Sequence, residues 1–350
     1  MKISDVKAVY PKYQHVGKSW RTHFWQIAVR VESDAGVVGW GYGGGGVGAV
    51  EVVNRHLREL LVGRRVNDVD DISEIWDDLY FACLPYGRGG LAVMGLSGVD
   101  LALWDMLGRA EGKRVCELLG GVRRERVRAY ATGQDIAWYR DLGFTAHKSP
   151  QHRRDRAEED RGRILAWAAE ARRELGPEAL LMVDAYMSWE ADFAVEMAAQ
   201  LASQRIYWFE DVLLPDDLEG LAALRPRIAP ILLAGGEHDF TAHGFARLAG
   251  AQALDLWQPD VTWCGGLTAA LRIAALAEKH GIPLVPHRGG EVWGLHLLAA
   301  GIGEDLAELV MGRRGDSRDQ VWLGAPEPTD GYLCLPEEPG FGVRVNEELL

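Results

Sequence analysis

Three carboxylates stand directly at the ends of three successive apolar runs. Asp184 ends Leu-Leu-Met-Val-Asp, Glu210 ends Tyr-Trp-Phe-Glu, and Glu237 ends Leu-Ala-Gly-Gly-Glu. They are 26 and 27 residues apart, about the length of one strand-helix unit, so consecutive parallel strands would carry all three to one rim. Oxygen-only ligands suit Mg²⁺. The pattern predicts a magnesium site, although each residue singly could also be the N-cap of a helix.

The next two strand ends carry a second pair of polar residues. Asp260 closes Leu-Asp-Leu-Trp-Gln-Pro-Asp, and His287 closes Pro-Leu-Val-Pro-His 27 residues later. A carboxylate at one ring nitrogen of a histidine fixes the tautomer and raises the basicity, which leaves the other nitrogen to accept and return protons. We interpret the pair as a catalytic dyad, against the alternative of a structural histidine that caps a helix.

Three more polar residues are expected at the same mouth. Lys148 ends the second predicted strand, and Glu308 begins the eighth. A lysine beside a cation-loaded centre could bind a substrate carboxylate or stabilise negative charge as it develops. His238 directly follows Glu237, and there the sequence leaves open whether it contacts substrate hydroxyls or caps the next helix.

Together these residues suit removal of a proton from the carbon next to a carboxylate. That proton is weakly acidic, and the enediolate left behind carries extra negative charge. A divalent cation on the carboxylate stabilises this charge more in the transition state than in the ground state, which accelerates the step. The expected partners are therefore a small-molecule acid substrate and Mg²⁺ as cofactor.

The elements that must position these residues alternate along most of the chain. Apolar strand-like runs and charged helical patterns follow one another from about residue 127. The runs lie near residues 127–132, 144–148, 180–184, 206–210, 230–235, 254–258, 283–286 and 307–310. Eight parallel strands in strict alternation with helices predict an α/β barrel of the TIM type rather than an open sheet, with its active face at the strand C-termini.

The first part of the chain has a different pattern. Strand-like alternation occurs in Lys2–Tyr10, Phe24–Val31 and Val37–Trp40, and helical spacing in Val47–Leu61, Asp68–Tyr80 and Leu91–Gly108. We predict an α+β capping domain over residues 1–120, the barrel over 121–322, and a C-terminal tail over 323–350 that packs on the capping domain. Arg21 and His23 are expected in the first sheet, near the barrel mouth.

Composition excludes several classes of protein. The 350 residues allow two domains, and a net charge of −13 opposes binding to nucleic acid or anionic lipid, where a basic patch supplies most of the affinity. The sequence contains no run of eighteen uncharged apolar residues, so no membrane span is predicted. Four scattered cysteines without a CxxC pair, and no signal-like start, indicate reduced thiols in a cytoplasmic protein.

A glycine motif offers a competing interpretation. Gly41-x-Gly43-x-x-Gly46 follows a strand-like run and matches the dinucleotide fingerprint formally. The preceding strand belongs to an antiparallel set, however, and no parallel strand-helix-strand unit follows at the expected distance. We expect these glycines to form a mobile lid over the barrel mouth instead.

The motifs resemble the enolase superfamily, in the group of mandelate racemase and muconate lactonizing enzyme. The resemblance rests on the run from Gly95 to Asp105 in Gly-Leu-Ser-Gly-Val-Asp-Leu-Ala-Leu-Trp-Asp, on the three carboxylates and on the dyad. The runs 181–188, 236–238, 258–268 and 339–343 are similar to the L-rhamnonate dehydratases. The resemblance covers about residues 70 to 345.

This resemblance implies a (β/α)₇β barrel, Mg²⁺ on the three carboxylates, and dehydration of an acid sugar to a 2-keto-3-deoxy acid. It makes His287 the base and later the acid for the leaving hydroxide, Asp260 its orienting partner, and Glu308 a hydrogen-bond partner of the substrate carboxylate. It also implies a homo-oligomer.

Two departures from the family pattern bear on the choice among activities. Pro150 stands where the racemases of the group carry a second lysine, so two-base racemisation is disfavoured. Arg-Gly-Gly-Glu after His287 is unlike the small polar run of the dehydratases, which leaves the substrate undetermined. A racemase or epimerase, a cycloisomerase and a non-catalytic relative remain alternatives.

Overall fold

A parallel barrel forms the larger part of the chain. The computed structural model describes residues 1–12, 19–153, 157–316 and 321–350. Seven strands pair in parallel, in the order β10-β4-β5-β6-β7-β8-β9. They are β4 (Val127–Gly133), β5 (Ala146–Pro150), β6 (Leu180–Asp184), β7 (Ile206–Glu210), β8 (Leu232–Gly235), β9 (Leu256–Trp257) and β10 (Ala307–Gly312). The predicted fold class is confirmed.

The predicted strand near 283–286 is reduced to a single bridge, in which Leu284 pairs in parallel with Trp257. In the described part of the barrel, seven α-helices connect the strands. They are α7 (Ile136–Asp141), α8 (Ala157–Leu175), α9 (Ala191–Gln200), α10 (Leu218–Ile228), α11 (Thr241–Ala251), α12 (Gly266–His280) and α13 (Val292–Ala299). Because the strands run in parallel, their C-terminal ends meet at one rim, as the spacing of the polar residues requires.

An α+β unit built from the start of the chain covers that rim. Its antiparallel sheet contains β1 (Ile3–Val9), β2 (Ile27–Ser33) and β3 (Val38–Gly43). Its helices are α1 (Arg21–Phe24), α2 (Gly46–Glu51), a π-helical segment (Val52–Leu57), α3 (Arg58–Leu61), α4 (Val69–Cys83), α5 (Leu91–Glu111) and α6 (Val115–Leu118). Arg21 and His23 lie in α1, so their expected place within a strand of the first sheet is wrong.

The glycines of β3 serve close packing against α5. A Cβ atom at Gly41 would overlap the backbone of Gly98 and Ala102, and one at Gly43 would overlap that of Met94. Both glycines are buried, and β3 pairs antiparallel with β2. The approach of helix to sheet therefore explains Gly41 and Gly43, and the antiparallel pairing of β3 argues against a dinucleotide loop. The mobile lid stays a prediction.

Helix α5 is long and apolar enough to cross a membrane by length and composition alone. Its 18-residue apolar window is, however, 89% buried inside the fold. It packs against β2, β3, α4 and α12, so its apolar character follows from its position between the sheet and neighbouring helices.

One buried carboxylate ties three distant parts of the chain together. Asp105 accepts hydrogen bonds from the backbone N–H groups of Trp40, at 2.9 Å, and Phe341, at 2.8 Å, and pairs with Arg109. Arg109 also donates to the carbonyl of Val343. The C-terminal segment, with β11 (Trp322–Leu323), β12 (Tyr332–Leu333) and β13 (Arg344–Val345), thus contacts the capping unit. The residue bounds of the three predicted parts stay predictions.

Candidate active site

The three predicted metal ligands lie on adjoining strands of the rim. Asp184 and Glu210 face each other in the register of β6 and β7, and Glu237 follows β8 by two residues. The pKa of Asp184 is raised to about 6, first by burial and also by the Glu237 charge, against the opposing effect of Lys148. The sequence interval of one strand-helix unit therefore produces the expected crowding of negative charge.

Lys148 is buried between two carboxylates and contacts both of them. Its Nζ atom pairs with Glu210 and lies 2.7 Å from Oε1 of Glu308, and all three side chains are 1% exposed. Glu210 also accepts hydrogen bonds from Trp208, at 2.9 Å, and Gln258, at 2.7 Å. This network holds Lys148 and Glu210 in place at the floor of the site.

Glu308 is ionised in this arrangement. Burial alone would raise its pKa, but Lys148 and then His287 outweigh burial and lower it to about 2. The Thr132 hydroxyl, at 2.6 Å, and the Arg288 backbone N–H, at 2.9 Å, both donate to it. An ionised carboxylate only accepts hydrogen bonds, so the predicted bond to a substrate carboxylate requires that Glu308 first take up a proton.

The predicted dyad is formed. Nδ1 of His287 lies 2.9 Å from Oδ2 of Asp260, whose other oxygen accepts from the backbone and hydroxyl of Thr262. Nε2 of His287 lies 3.2 Å from Glu237. Burial lowers the pKa of His287, but Glu237, Glu308 and Asp260 outweigh burial and raise it to about 10. Without a cation, the histidine is therefore held in its protonated form.

Asp211 is a site residue that the sequence analysis missed. Its carboxylate, that of Glu237 and the ring of His238 bring one ligand atom each within 4.8 Å of one another. Asp211 has a positive φ of 45°, which turns the chain just after β7. The signal available in the sequence was its place directly after Glu210, although regular strand alternation would turn its side chain to the opposite face.

His238 lies at this cluster rather than capping a helix. Its Nε2 atom is 3.2 Å from Glu237 and 3.6 Å from Asp211, and burial lowers its pKa. Its ring stacks on Trp263 with centroids 6.4 Å apart and meets Tyr186 edge-on at 6.0 Å. The contact of His238 with substrate hydroxyls, one of its two interpretations, stays a prediction.

The donor set fits a hard divalent cation. Among the described residues, the carboxylates of Asp184, Glu210, Asp211 and Glu237 converge on the rim. Glu210 pairs with Lys148, which it shares with Glu308, and Glu237 lies beside His287. Oδ2 of Asp211 is buried without a hydrogen-bond partner, and burial, Glu237 and Glu210 raise its pKa well above the ordinary value. Such a carboxyl group ionises only when positive charge is brought to it, and oxygen donors favour Mg²⁺.

The capping unit forms one wall of the mouth. Gln26 donates to the Thr262 hydroxyl at 2.9 Å and accepts from the Trp263 indole N–H at 2.6 Å, and all three side chains are buried. Trp263 in turn lies 5.7 Å from the ring of His287. These contacts join residues more than 230 positions apart, so this wall beside the dyad forms only in the folded chain.

Comparison with known proteins identifies the family. Residues 133–349 match the family described as enolase C-terminal domain-like, and residues 15–120 match the mandelate racemase and muconate lactonizing enzyme N-terminal domain. The fold and the rim thus define an enzyme with a capped α/β barrel. The chain belongs to the enolase superfamily, in the mandelate racemase and muconate lactonizing enzyme group, as the sequence motifs indicated.

The similar proteins are named for different activities. The L-rhamnonate dehydratase of Saccharopolyspora erythraea is 35% identical, over 99% of this chain and 90% of its own length. The rhamnonate dehydratase of Gibberella zeae, solved in complex with Mg, has a TM-score of 0.87 at 28% identity, covering 99% and 95% of the two chains. The 3,6-anhydro-D-galactonate cycloisomerase of Zobellia galactanivorans has a TM-score of 0.86 at 29% identity, covering 99% and 98%.

Proposed function

We propose that the protein dehydrates an acid sugar, such as L-rhamnonate or a related compound, to a 2-keto-3-deoxy acid with Mg²⁺ as cofactor. The observation that carries the proposal is the His287–Asp260 dyad, which faces a rim of carboxylates inside a capped barrel. The dehydratase relative that is 35% identical over 99% of the chain supports the same reaction class.

Asp184, Glu210 and Glu237 would hold the cation, with Asp211 beside them. When bound, Mg²⁺ supplies positive charge that stabilises negative charge developing on the substrate carboxylate. The solved dehydratase relative in complex with Mg supports the choice of Mg²⁺ as the cation. Trp208 and Gln258 keep Glu210 oriented toward the rim through their hydrogen bonds.

His287 would move the proton. Asp260 holds the proton on Nδ1. Glu237 contributes most to the raised pKa of His287, so a cation at Glu237 would favour the neutral ring, whose Nε2 takes the proton from the carbon next to the substrate carboxylate. The same Nε2–H can then donate to the hydroxyl group that leaves from the adjacent carbon, so one residue serves as base and acid. Removal of a proton and hydroxide from neighbouring carbons releases one water and leaves an enol that becomes the 2-keto acid.

Lys148 would act at the substrate carboxylate as well as at Glu210 and Glu308. Its ammonium group is fixed by two ion pairs, so it presents a localised positive charge at the floor of the site. His238 would contact substrate hydroxyls from the side of the mouth. The capping wall of Gln26 and Trp263 would exclude water from the dyad.

The test is a screen of the purified protein with Mg²⁺ against aldonic and aldaric acids, with 2-keto acid formation as the readout. Product from at least one acid sugar, lost with His287→Asn, is the expected result. Exchange of the α-proton for solvent deuterium without loss of water would instead indicate a racemase or epimerase. No turnover of any acid by protein shown to bind Mg²⁺ would contradict dehydration.

A further inference from the structure

Two guanidinium groups lie against one aromatic ring at the mouth. The guanidinium carbon of Arg21 is 4.5 Å from the ring centroid of Trp25, and that of Arg288 is 5.4 Å from it. Arg21 comes from α1 of the capping unit, whereas Arg288 directly follows His287 in the barrel. Two separate parts of the chain therefore bring positive charge to the same place.

Neither guanidinium is fully satisfied within the described residues. The Nε atom of Arg288 pairs with Glu291 at 2.7 Å, but its Nη1 atom is buried and has no hydrogen-bond partner. Arg288 is only 8% exposed, so this atom is shielded from water. Arg21 is exposed, forms no salt bridge to any acidic residue that the structure describes, and has its guanidinium group against the rings of Trp20 and Trp25.

The place of this pair relative to the dyad is fixed by aromatic contacts. Trp25 meets Trp263 edge-on with centroids 6.3 Å apart, and Trp263 lies 5.7 Å from His287. The pKa of Arg21 is lowered, first by partial burial and also by the charge of Arg288. Tyr186 and Glu237 act in the opposite direction, so the charge of Arg21 interacts with groups of the site. The rings of Trp25 and Trp263 therefore connect the two guanidinium groups to the ring of His287.

The two ends of an extended substrate would lie beside side chains of opposite charge. At the inner end, carboxylates require a cation that also binds the substrate carboxylate. At the outer end, the structure supplies two arginines and one acidic partner, Glu291. Arginine donates hydrogen bonds in a planar fork that matches the two oxygens of a carboxylate, and a buried donor without a partner costs free energy that such a group would relieve.

We propose that Arg21 and Arg288 bind a second carboxylate at the far end of the substrate, so that the preferred substrates are dicarboxylic acid sugars rather than acids with a neutral terminal carbon. This inference rests on the proposed function and narrows its substrate class to the related acid sugars, away from L-rhamnonate itself, whose terminal carbon is a neutral methyl group. It assigns Arg21 and Arg288 to recognition of the distal end, where they select the substrate without taking part in proton transfer.

The test uses matched pairs that differ only at the terminal carbon, namely galactarate with galactonate and glucarate with gluconate. With the full-length protein and Mg²⁺, kcat/KM is expected to be higher for a hexaric acid than for its hexonic partner. Arg21→Gln should lower kcat/KM for the hexaric acid by about tenfold or more, as for the loss of a charge-assisted hydrogen bond, and change the hexonic value little. Arg21→Lys should recover part of the loss.

The matched control is Arg55→Gln, because Arg55 is a strongly exposed arginine of the capping unit and should alter neither substrate. Calorimetric binding of the same acids to His287→Asn protein gives a readout that does not need turnover. Binding of hexaric acids that depends on Arg21 would uphold the inference even if no acid were dehydrated, in which case only the proposed reaction would fail. Equal or better use of hexonic acids, or a preference for 6-phosphohexonates, would overturn the inference.

Discussion

Nδ1 of His287 and Oδ2 of Asp260 lie 2.9 Å apart, although 27 residues separate them in the chain. The distance follows from the barrel, because both residues close consecutive strand positions and parallel strands end at one rim. The same rim places Nε2 of His287 3.2 Å from Glu237. The histidine therefore links the oriented carboxylate Asp260 to the predicted metal ligands.

Replacing His287 by Asn should lower turnover by about 10²-fold or more, as expected when a general base is lost. The fold should persist, since Asn occupies less space than His at a position open to the mouth. The measurement is 2-keto acid formation by variant and wild type, with circular dichroism to establish folding. His280→Asn, at the exposed end of α12, is the matched control. Turnover within a few-fold of wild type would remove His287 from the mechanism.

Replacing Asp260 by Asn should lower the pKa of His287 from its value of about 10. Asp260 raises that pKa by its hydrogen bond and its charge, so its neutral replacement removes stabilisation of the imidazolium. NMR titration of the His287 ring in metal-free protein measures the change. Asp192→Asn, whose side chain is 91% exposed, should leave the titration unaltered. An unshifted or raised pKa would show that Asp260 does not govern the protonation of His287.

Replacing Glu210 by Gln should weaken Mg²⁺ binding, because a charged oxygen ligand becomes a neutral one. Isothermal titration calorimetry of the purified variant measures the affinity. Glu219→Gln, on the exposed surface of α10, should bind like wild type. Wild-type affinity in Glu210→Gln would undo the assignment of Glu210 and turn attention to Asp211, Glu237 and His238 as the cation site.

Replacing Lys148 by Met should destabilise the fold by about 3–5 kcal/mol, since Glu210 and Glu308 would be left buried without their shared countercharge. Denaturant unfolding of metal-free protein measures the effect. Lys113→Met removes the surface pair with Glu111 and should change the unfolding midpoint little. Excess Mg²⁺ should restore part of the stability of Lys148→Met. A midpoint equal to that of wild type would contradict a structural role for this ion network.

The sequence by itself determined the barrel, the rim and most of the candidate site. Strand periodicity and the regular interval of one strand-helix unit are local properties, so they can be read along the chain. They placed Asp184, Glu210 and Glu237 at one edge and paired Asp260 with His287. The family motifs gave the same answer, and the comparisons confirmed the family and the fold.

Only the tertiary structure decided how these side chains are used. The burial of Lys148 between two carboxylates and the turn that brings Asp211 to Glu237 depend on packing and backbone angles that no spacing encodes. The glycines of β3 resemble a nucleotide-binding loop in sequence, but the structure shows that they allow α5 to pack closely against the strand. Likewise, Arg21 meets Arg288 at Trp25 because the capping unit folds onto the barrel, which joins residues far apart in the chain.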